Sequence, residues 1–338
     1  MVTGLVSSAV NNAQIKLWLA KGEDATDVFE LLKLNEGVDK LLDSSKLNMW
    51  AEYVNILNKK NPDGKVSMVA MLTEHYGDAA VAKMIETAKK VPSTANVGKS
   101  LNEEQLLGWL NAKETPENIF RLFKLDKGVE NLHDSWKLNT WAAYVSILNK
   151  ENPQDKISMI AMLATHYDDA TVAKMIEAVQ KVPSTAHVGK ILHKEQLLGW
   201  LNTGKTPENV FKLLKLDSGA DDLVANPTLY TMTSYLNVFN GKNKADHTML
   251  IDIIKMTYGD ADAALAFEKA TRELTTKSNA RVLKGAQFDD WIKRGIKPNK
   301  AQRTIFGGFA TEIEDVIAYQ YARYYKHGKK ILEDLDEM

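Results

Sequence analysis

No cysteine occurs among the 338 residues. A disulfide framework is therefore impossible, and cysteine zinc sites and thiol chemistry are excluded with it. An excess of one charge is missing too, since the formal net charge is −1. Nucleic-acid affinity comes mainly from neutralising phosphates, so no nucleic-acid partner is expected. No apolar run approaches the roughly 20 residues that span a bilayer, so no membrane role is expected. Met1 to Val10 lacks the basic start and apolar stretch of a signal peptide. Asn226-Pro227-Thr228 fails as a glycosylation acceptor because of its proline, and no usable sequon is found elsewhere. These absences suit a folded form built for a reducing, cytosolic setting.

Signatures of chemistry are equally sparse. Gly98-Lys99-Ser100 resembles the end of a P-loop, but position 93 is Ser93 where its first glycine belongs. The seven histidines are scattered, no H-E-x-x-H occurs, and no Asp-Asp pair continues as DDxxD. Asn61-Pro62-Asp63-Gly64 reads as a turn without the rest of an EF-hand loop. No catalytic residue, cofactor site or metal site is expected, and the chain does not read as an enzyme.

What is present is a repeat. Trp18, Trp109, Trp200 and Trp291 stand at equal steps of 91 residues. Phe29, Phe120 and Phe211 keep that step, as do Trp50 and Trp141, Tyr53, Tyr144 and Tyr235, and Tyr76, Tyr167 and Tyr258. A fixed period with almost no insertion marks a tandem array. The units are taken as residues 1–98, 99–189, 190–280 and a shorter 281–338.

The second unit is the clearest. Leu106, Leu107, Trp109 and Leu110 lie in a short amphipathic segment from Glu103 to Asn111. Thr115-Pro116-Glu117 then starts a helix: a capping hydroxyl, a proline where no N–H is needed, and an acid suited to the dipole. Gly37, Gly128 and Gly219 share the position expected for a C-terminal cap with positive φ. Leu138, Trp141, Val145 and Leu148 line one face of a third helix, and Met159, Met162, Leu163, His166 and Tyr167 one face of a fourth over 158–167. Gly77, Asp168 and Gly259 occupy the corner that follows, all residue types that tolerate the left-handed region. Asp78, Asp169 and Asp260 come next and are expected as N-caps of the fifth helix. That helix ends before Pro92 and Pro183; Leu274 stands at the matching place in unit three, so its last helix is expected to run on.

The spacing therefore predicts an all-α fold of about five short helices per unit. The aromatic residues are assigned to the core and the inter-repeat contacts, where they bury area, in preference to a cation or ligand cage. A 91-residue helical unit buries only a modest core alone, so each Trp-bearing segment is expected to pack on the preceding unit, making a rigid elongated rod. Trp18 has no earlier unit, and residues 1–14 are expected to shield it. The last unit keeps Trp291, Gly295 and Pro298 in register, has Gln302 in place of the phenylalanine, and reads as a cap on unit three. Its final helix carries Phe309, Ile313, Val316, Ile317, Tyr321 and Tyr324.

LLGWLNAKETPENIFRLFKLDKG resembles the L motif of oomycete RXLR effectors, the segment around Trp141 and Tyr144 their W motif, and HYDDATVAKMIEA their Y motif. The chain is similar over nearly all its length to the tandem LWY-repeat effectors of Phytophthora. Met232 departs from the W-motif tryptophan, and unit four lacks a Y motif. The resemblance implies a secreted virulence effector, taken up into the plant cell cytoplasm and, given the basic Lys326–Lys330 stretch, in reach of the nucleus. It implies a monomeric adaptor for host plant proteins, including the scaffold subunit of protein phosphatase 2A, that redirects signalling and suppresses immunity or RNA silencing. Direct sequestration of small RNA is the alternative, and the near-neutral charge disfavours it. Contact residues are expected where repeats differ on exposed faces: Lys46, Lys137 and Thr228; Lys59, Lys150 and Gly241; Asp63, Gln154 and Ala245.

Overall fold

The protein is described by a computed structural model covering residues 2–37, 45–128, 135–244, 247–308 and 311–328, with side chains omitted for 2–10, 45 and 135. Among these residues there are eighteen helices and no strand. The first repeat supplies α1 (Val2–Lys21), α2 (Ala25–Leu31), α3 (Ser45–Lys60), α4 (Met68–Tyr76) and α5 (Asp78–Ala88). The second supplies α6 (Ala95–Asn111), α7 (Pro116–Leu122), α8 (Ser135–Glu151), α9 (Met159–His166) and α10 (Asp169–Lys181). The third supplies α11 (Ala186–Asn202), α12 (Pro207–Leu213), the single turn α13 (Ala220–Leu223), α14 (Thr228–Lys242) and α15 (Leu250–Ala270). The fourth supplies α16 (Lys277–Lys293), α17 (Pro298–Phe306) and α18 (Glu312–His327). Phe309, Ala245 and the tail beyond Gly328 lie outside the described residues.

The chain forms two compact units, residues 1–157 and 158–338. The division falls inside the second repeat because the end of one repeat packs on the start of the next. In the first unit α5 packs on α6 and α8; in the second, α10 packs on α11 and α14, and α15 on α16 and α18.

Local chemistry sets the helix ends. Asp24 Oδ1 accepts the N–H groups of Thr26 and Asp27 at 2.7 and 2.8 Å. Thr115 and Thr206 Oγ1 accept those of Asn118 and Asn209 at 3.1 and 3.2 Å, with Pro116 and Pro207 opening their helices. The C-terminal turn differs from the sequence expectation. The helix is turned by Lys33, Lys124 or Lys215, with φ of 60, 57 and 55°; four residues on, Gly37 and Gly128 also have positive φ, 139 and 138°, while Gly219 is extended at 167°. The following Leu34, Leu125 or Leu216 is buried, and its N–H reaches back to the carbonyl of Phe29, Phe120 or Phe211 at 3.0 Å. Burial of that leucine offsets the roughly 1–2 kcal/mol cost of a lysine in this region.

Two further corrections concern helix lengths. The tryptophan-bearing helix of repeat two begins at Ala95, not at Glu103, so much of the joint between repeats is helical. The last helix of repeat three does not run on: it stops at Ala270, and Leu274 is 95% exposed. A buried threonine closes that corner. Thr94, Thr185 and Thr276 Oγ1 donate to the carbonyls of Ala88, Val179 and Ala270 at 3.0, 2.8 and 2.7 Å. The corner is tight. A Cβ on Gly98 would sit 2.7 Å from the Lys89 nitrogen, and one on Gly189 2.7 Å from Gln180 Cγ. Asp168 also departs from expectation: its φ of −70° is extended, and its carboxylate caps α10 by accepting the Thr171 N–H at 2.8 Å.

Each core is an aromatic box. Trp18, Phe29, Trp50 and Tyr53 are buried in the first repeat, with Trp18 edge-on to Tyr53 at 5.9 Å. Trp50 and Trp141 Nε1 donate to the carbonyls of Ala25 and Pro116 at 2.9 and 3.0 Å. Tyr53, Tyr144 and Tyr235 hydroxyls donate to the carbonyls of Glu23, Glu114 and Lys205. Half-buried Tyr76 and Tyr258 donate likewise to Leu34 and Leu216, and Tyr167 is half-buried at the matching place. Phe120 and Phe211 are buried as Phe29 is, and Met232 fills the place of the W-motif tryptophan, fully buried. In the fourth unit Tyr321, not a residue at the 91-residue step, donates to the Ile296 carbonyl at 2.6 Å. Burial pushes its hydroxyl up to about 12.

Candidate functional site: the joints between repeats

The periodic tryptophans do two jobs. Their rings pack inside their own repeat: Trp109 edge-on to Tyr144 at 5.6 Å, Trp200 to Tyr235 at 5.8 Å and Trp291 to Tyr321 at 5.1 Å. Their indole N–H groups reach back to the preceding repeat. Trp109 donates to Asp78 Oδ1 at 3.4 Å, Trp200 to Asp169 at 2.8 Å and Trp291 to Asp260 at 2.9 Å. This corrects the reading of those aspartates as N-caps. Asp78 and Asp169 are the first residues of their helices, behind Gly77 and Asp168, and Asp260 follows the break at Gly259, where φ is 80°. A carboxylate is favoured there by the positive end of the helix and is free to accept an indole N–H.

A second periodic set lies behind the tryptophans. Glu86, Glu177 and Glu268 stand at the 91-residue step and are all buried. Each faces a different partner. Glu86 pairs with the ammonium of Lys89, which also lies 3.4 Å from Asn102 Oδ1. Glu177 accepts from the buried Thr231 hydroxyl at 3.0 Å, and burial pushes its carboxyl above the ordinary value. Glu268 faces Lys284 Nζ at 2.6 Å, with side-chain exposures of 6% and 3%. The third joint adds a charge network: Arg294 meets Asp260 at 2.7 Å and Asp290 at 2.8 Å, and Lys255 meets Asp290 at 2.9 Å.

Sequence reasoning overlooked this set and a third, Asn58, Asn149 and Asn240. Each of those side chains brackets the loop eight residues on: Asn58 with Val66, Asn149 with Ile157 and Asn240 with Thr248, donating to the carbonyl and accepting the N–H. Their equal spacing was the available signal.

The expected contact positions are mostly on the outside. Lys46, Lys59, Asp63, Lys150, Gln154 and Gly241 are exposed. Lys137 is half-buried with its ammonium 5.8 Å from the centre of the Trp136 ring. Thr228 is not a surface residue: it is fully buried, its hydroxyl donating to the Leu214 carbonyl at 3.2 Å. Lys59 lies at the C-terminal end of α3 and Asp63 in the turn just beyond it, whereas Lys46 lies near the other end of the helix, roughly 20 Å from Lys59 at 1.5 Å rise per residue. Among the described residues no group of three His, Asp or Glu side chains could hold a metal, and no helix is long and apolar enough to cross a membrane.

Comparison with known proteins agrees with this architecture. Residues 13–54 match the family described as Effector PexRD54, WY-domain. The chain is 34% identical over 302 residues to the RxLR effector protein PSR2 of Phytophthora sojae, covering 88% of this chain and 45% of that protein. It is 30% identical over 285 residues to PSR2 of Phytophthora infestans, covering 84% and 37%. It spans less than half the length of both. The crystal structure of PcRxLR12 superposes with a TM-score of 0.80 at 31% identity, covering 96% of this chain and 80% of that one. The fold is thus that of an all-α repeat effector. The chain belongs to the RxLR effectors, and to those built from tandem LWY units.

Proposed function

We propose that the chain is a non-enzymatic helical adaptor that binds host plant proteins from within the plant cell, its repeats being residues 1–98, 99–189, 190–280 and 281–338. The observation that carries this is a division of labour. The polar residues that recur at the period (Asp78, Asp169 and Asp260; Glu86, Glu177 and Glu268; Asn58, Asn149 and Asn240) are engaged in joints and loops. Several positions that vary between repeats, Lys59, Lys150 and Gly241 among them, are exposed. A surface that differs unit by unit on a shared frame suits recognition of a large partner. Lys46, Lys59, Asp63, Lys137, Lys150 and Gln154 belong to that surface. The partner we favour is the protein phosphatase 2A scaffold subunit, on the family resemblance, with altered signalling and weakened immunity or RNA silencing as the outcome.

The test is co-purification of the tagged chain with plant extract, followed by reconstitution with purified scaffold subunit. The expected result is a stoichiometric complex that loses the regulatory subunit. A chain that retains no plant protein, or that instead binds small RNA tightly and salt-sensitively, overturns the proposal.

A further inference from the structure

At the second joint, α11 and α14 flank an open notch of about 350 Å³ lined by Gln180, His193, Leu197, Leu198, Tyr230 and Val238, with Lys190 and Lys194 also on its wall. This is near the lower end of ligand pockets, roughly 300–1,000 Å³. It accommodates one or two side chains and is small for a cofactor. Its apolar part is Leu197, Leu198 and Val238, next to the 58% exposed Tyr230, whose ring stacks on His193 at 5.7 Å. His193 Nε2 is buried there without a hydrogen-bond partner. Lys190 and Lys194 are exposed one turn apart on α11, and no carboxylate lines the notch.

The first joint shows that the period does not dictate this. Lys89, Asn102, Glu103 and Asn139 stand where the second joint has Gln180, His193, Lys194 and Tyr230. There Lys89 lies across Glu86 and Asn102, and Glu103 sits one turn from Lys99. At the second joint Gln180 turns away, its Nε2 donating to the Gly189 carbonyl at 3.3 Å, and Thr231 takes the buried acid. The space a lysine would cross stays open, and the acid on its rim has become a base.

We propose that this notch docks an acidic segment of a partner protein, with a leucine or aromatic side chain seated against Leu197, Leu198 and Tyr230 and carboxylates on Lys190 and Lys194. Charge complementarity selects this occupant. Two lysines on an apolar floor match a peptide that alternates acids with an apolar anchor. A nucleic acid would need a longer basic track. The inference rests on the adaptor reading and places one contact of it.

The full chain is titrated with a fluorescein-labelled helical peptide of leucines at three- and four-residue spacing with glutamates between, followed by fluorescence anisotropy. The Lys-for-Glu peptide and a small RNA duplex are the controls. The acidic peptide is expected to bind, and the lysine peptide to bind at least about tenfold more weakly, equivalent to about 1.4 kcal/mol. The exposed double substitution Y230N/K194E is expected to weaken the acidic peptide at least about tenfold. Absence of binding, equal affinity for both peptides, or unchanged affinity in Y230N/K194E overturns the proposal. So does RNA binding that K194E abolishes, or self-association lost in Y230N, each of which assigns the notch to another occupant. Plant proteins still retained in full by Y230N/K194E overturn the notch alone. A wild-type chain that retains none overturns the adaptor reading, while the titration still decides the notch.

Discussion

Glu177 at the second joint and Glu268 at the third occupy the same place in successive repeats, yet their surroundings differ in kind. Glu177 accepts a neutral hydroxyl from Thr231, on the W-motif helix of the next repeat. Glu268 faces the ammonium of Lys284, on the tryptophan helix of the next repeat, nearly sealed from water. Glu86 at the first joint takes a third course, with Lys89 of its own helix end, 31% exposed. The period fixes where a buried acid sits and leaves its partner free to change. A burial cost then becomes a place where joints acquire individual stability and individual surfaces.

The largest test of that contrast is to remove the ammonium at the two joints that have one, the third and the first. K284M leaves Glu268 buried without its counter-charge and is expected to cost about 3–5 kcal/mol in urea unfolding, whereas K89M costs about 1 kcal/mol or less. K284M/E268M is expected to recover most of the loss. Equal costs for K284M and K89M would erase the distinction between the joints.

The aspartate series should be graded in the same way. D260A strips acceptors from Trp291 and Arg294 together, about 2–4 kcal/mol; D169A strips one from Trp200, about 1–2 kcal/mol; D78A, opposite a 3.4 Å contact, costs less than about 1 kcal/mol. Urea midpoints followed by tryptophan fluorescence give the order. A reversed order would mean that the indole contact does not set joint strength.

E177Q sharpens the contrast through pH. The folded Glu177 has a raised pKa, so the native state holds its proton more tightly than the unfolded chain. Stability at this group therefore falls as pH rises through the window above the ordinary value of 4.5. E177Q is expected to flatten that fall and to match or exceed wild type at pH 7 by up to about 1 kcal/mol. The difference between wild-type and E177Q unfolding curves across that window is the measurement; a loss of stability at pH 7 would contradict it.

Two smaller effects concern backbone and surface. Gly22, Gly204 and Gly295 turn the end of the tryptophan helix with positive φ, whereas the second repeat uses Lys113 at 56°. K113G is expected to raise stability by about 0.5–1 kcal/mol, a gain visible as a higher melting temperature. Lys215 and the Thr171 backbone N–H hold Asp168 at about 2 against an ordinary 3.8. That contribution is complete above the unfolded value and disappears as pH falls towards 2. Both side chains are more than half exposed, so D168N, which keeps a capping side chain, should cost only a few tenths of a kcal/mol at pH 7 and nothing at pH 2.

The aromatic positions were legible because a buried ring repeats both its type and its step; Trp50, Trp141, Phe29 and Phe120 all sit in cores. The roles of the polar residues were less so. An aspartate just after a corner suits an N-cap and an indole acceptor equally, and only the packing of α5 on α6 shows which one Asp78 serves. Lysine in the left-handed region at Lys33, Lys124 and Lys215 went against propensity because the buried leucine behind it decides the turn. Tyr321 could not be aligned by counting, since the shorter fourth unit reaches the Ile296 carbonyl from a shifted helix. The open notch at Tyr230 was hidden for the opposite reason: it arises from differences between copies, which a search for sameness discards.

The indole–carboxylate link has a consequence for how such chains grow. Every full repeat ends with a carboxylate that receives an indole and begins with an indole that seeks a carboxylate, so the two fittings match wherever the array is cut. Inserting or deleting one 91-codon stretch of the gene leaves each connector facing a compatible mate. Lineages can therefore reshuffle modules without inventing a new seam, and selection acts on what each module displays.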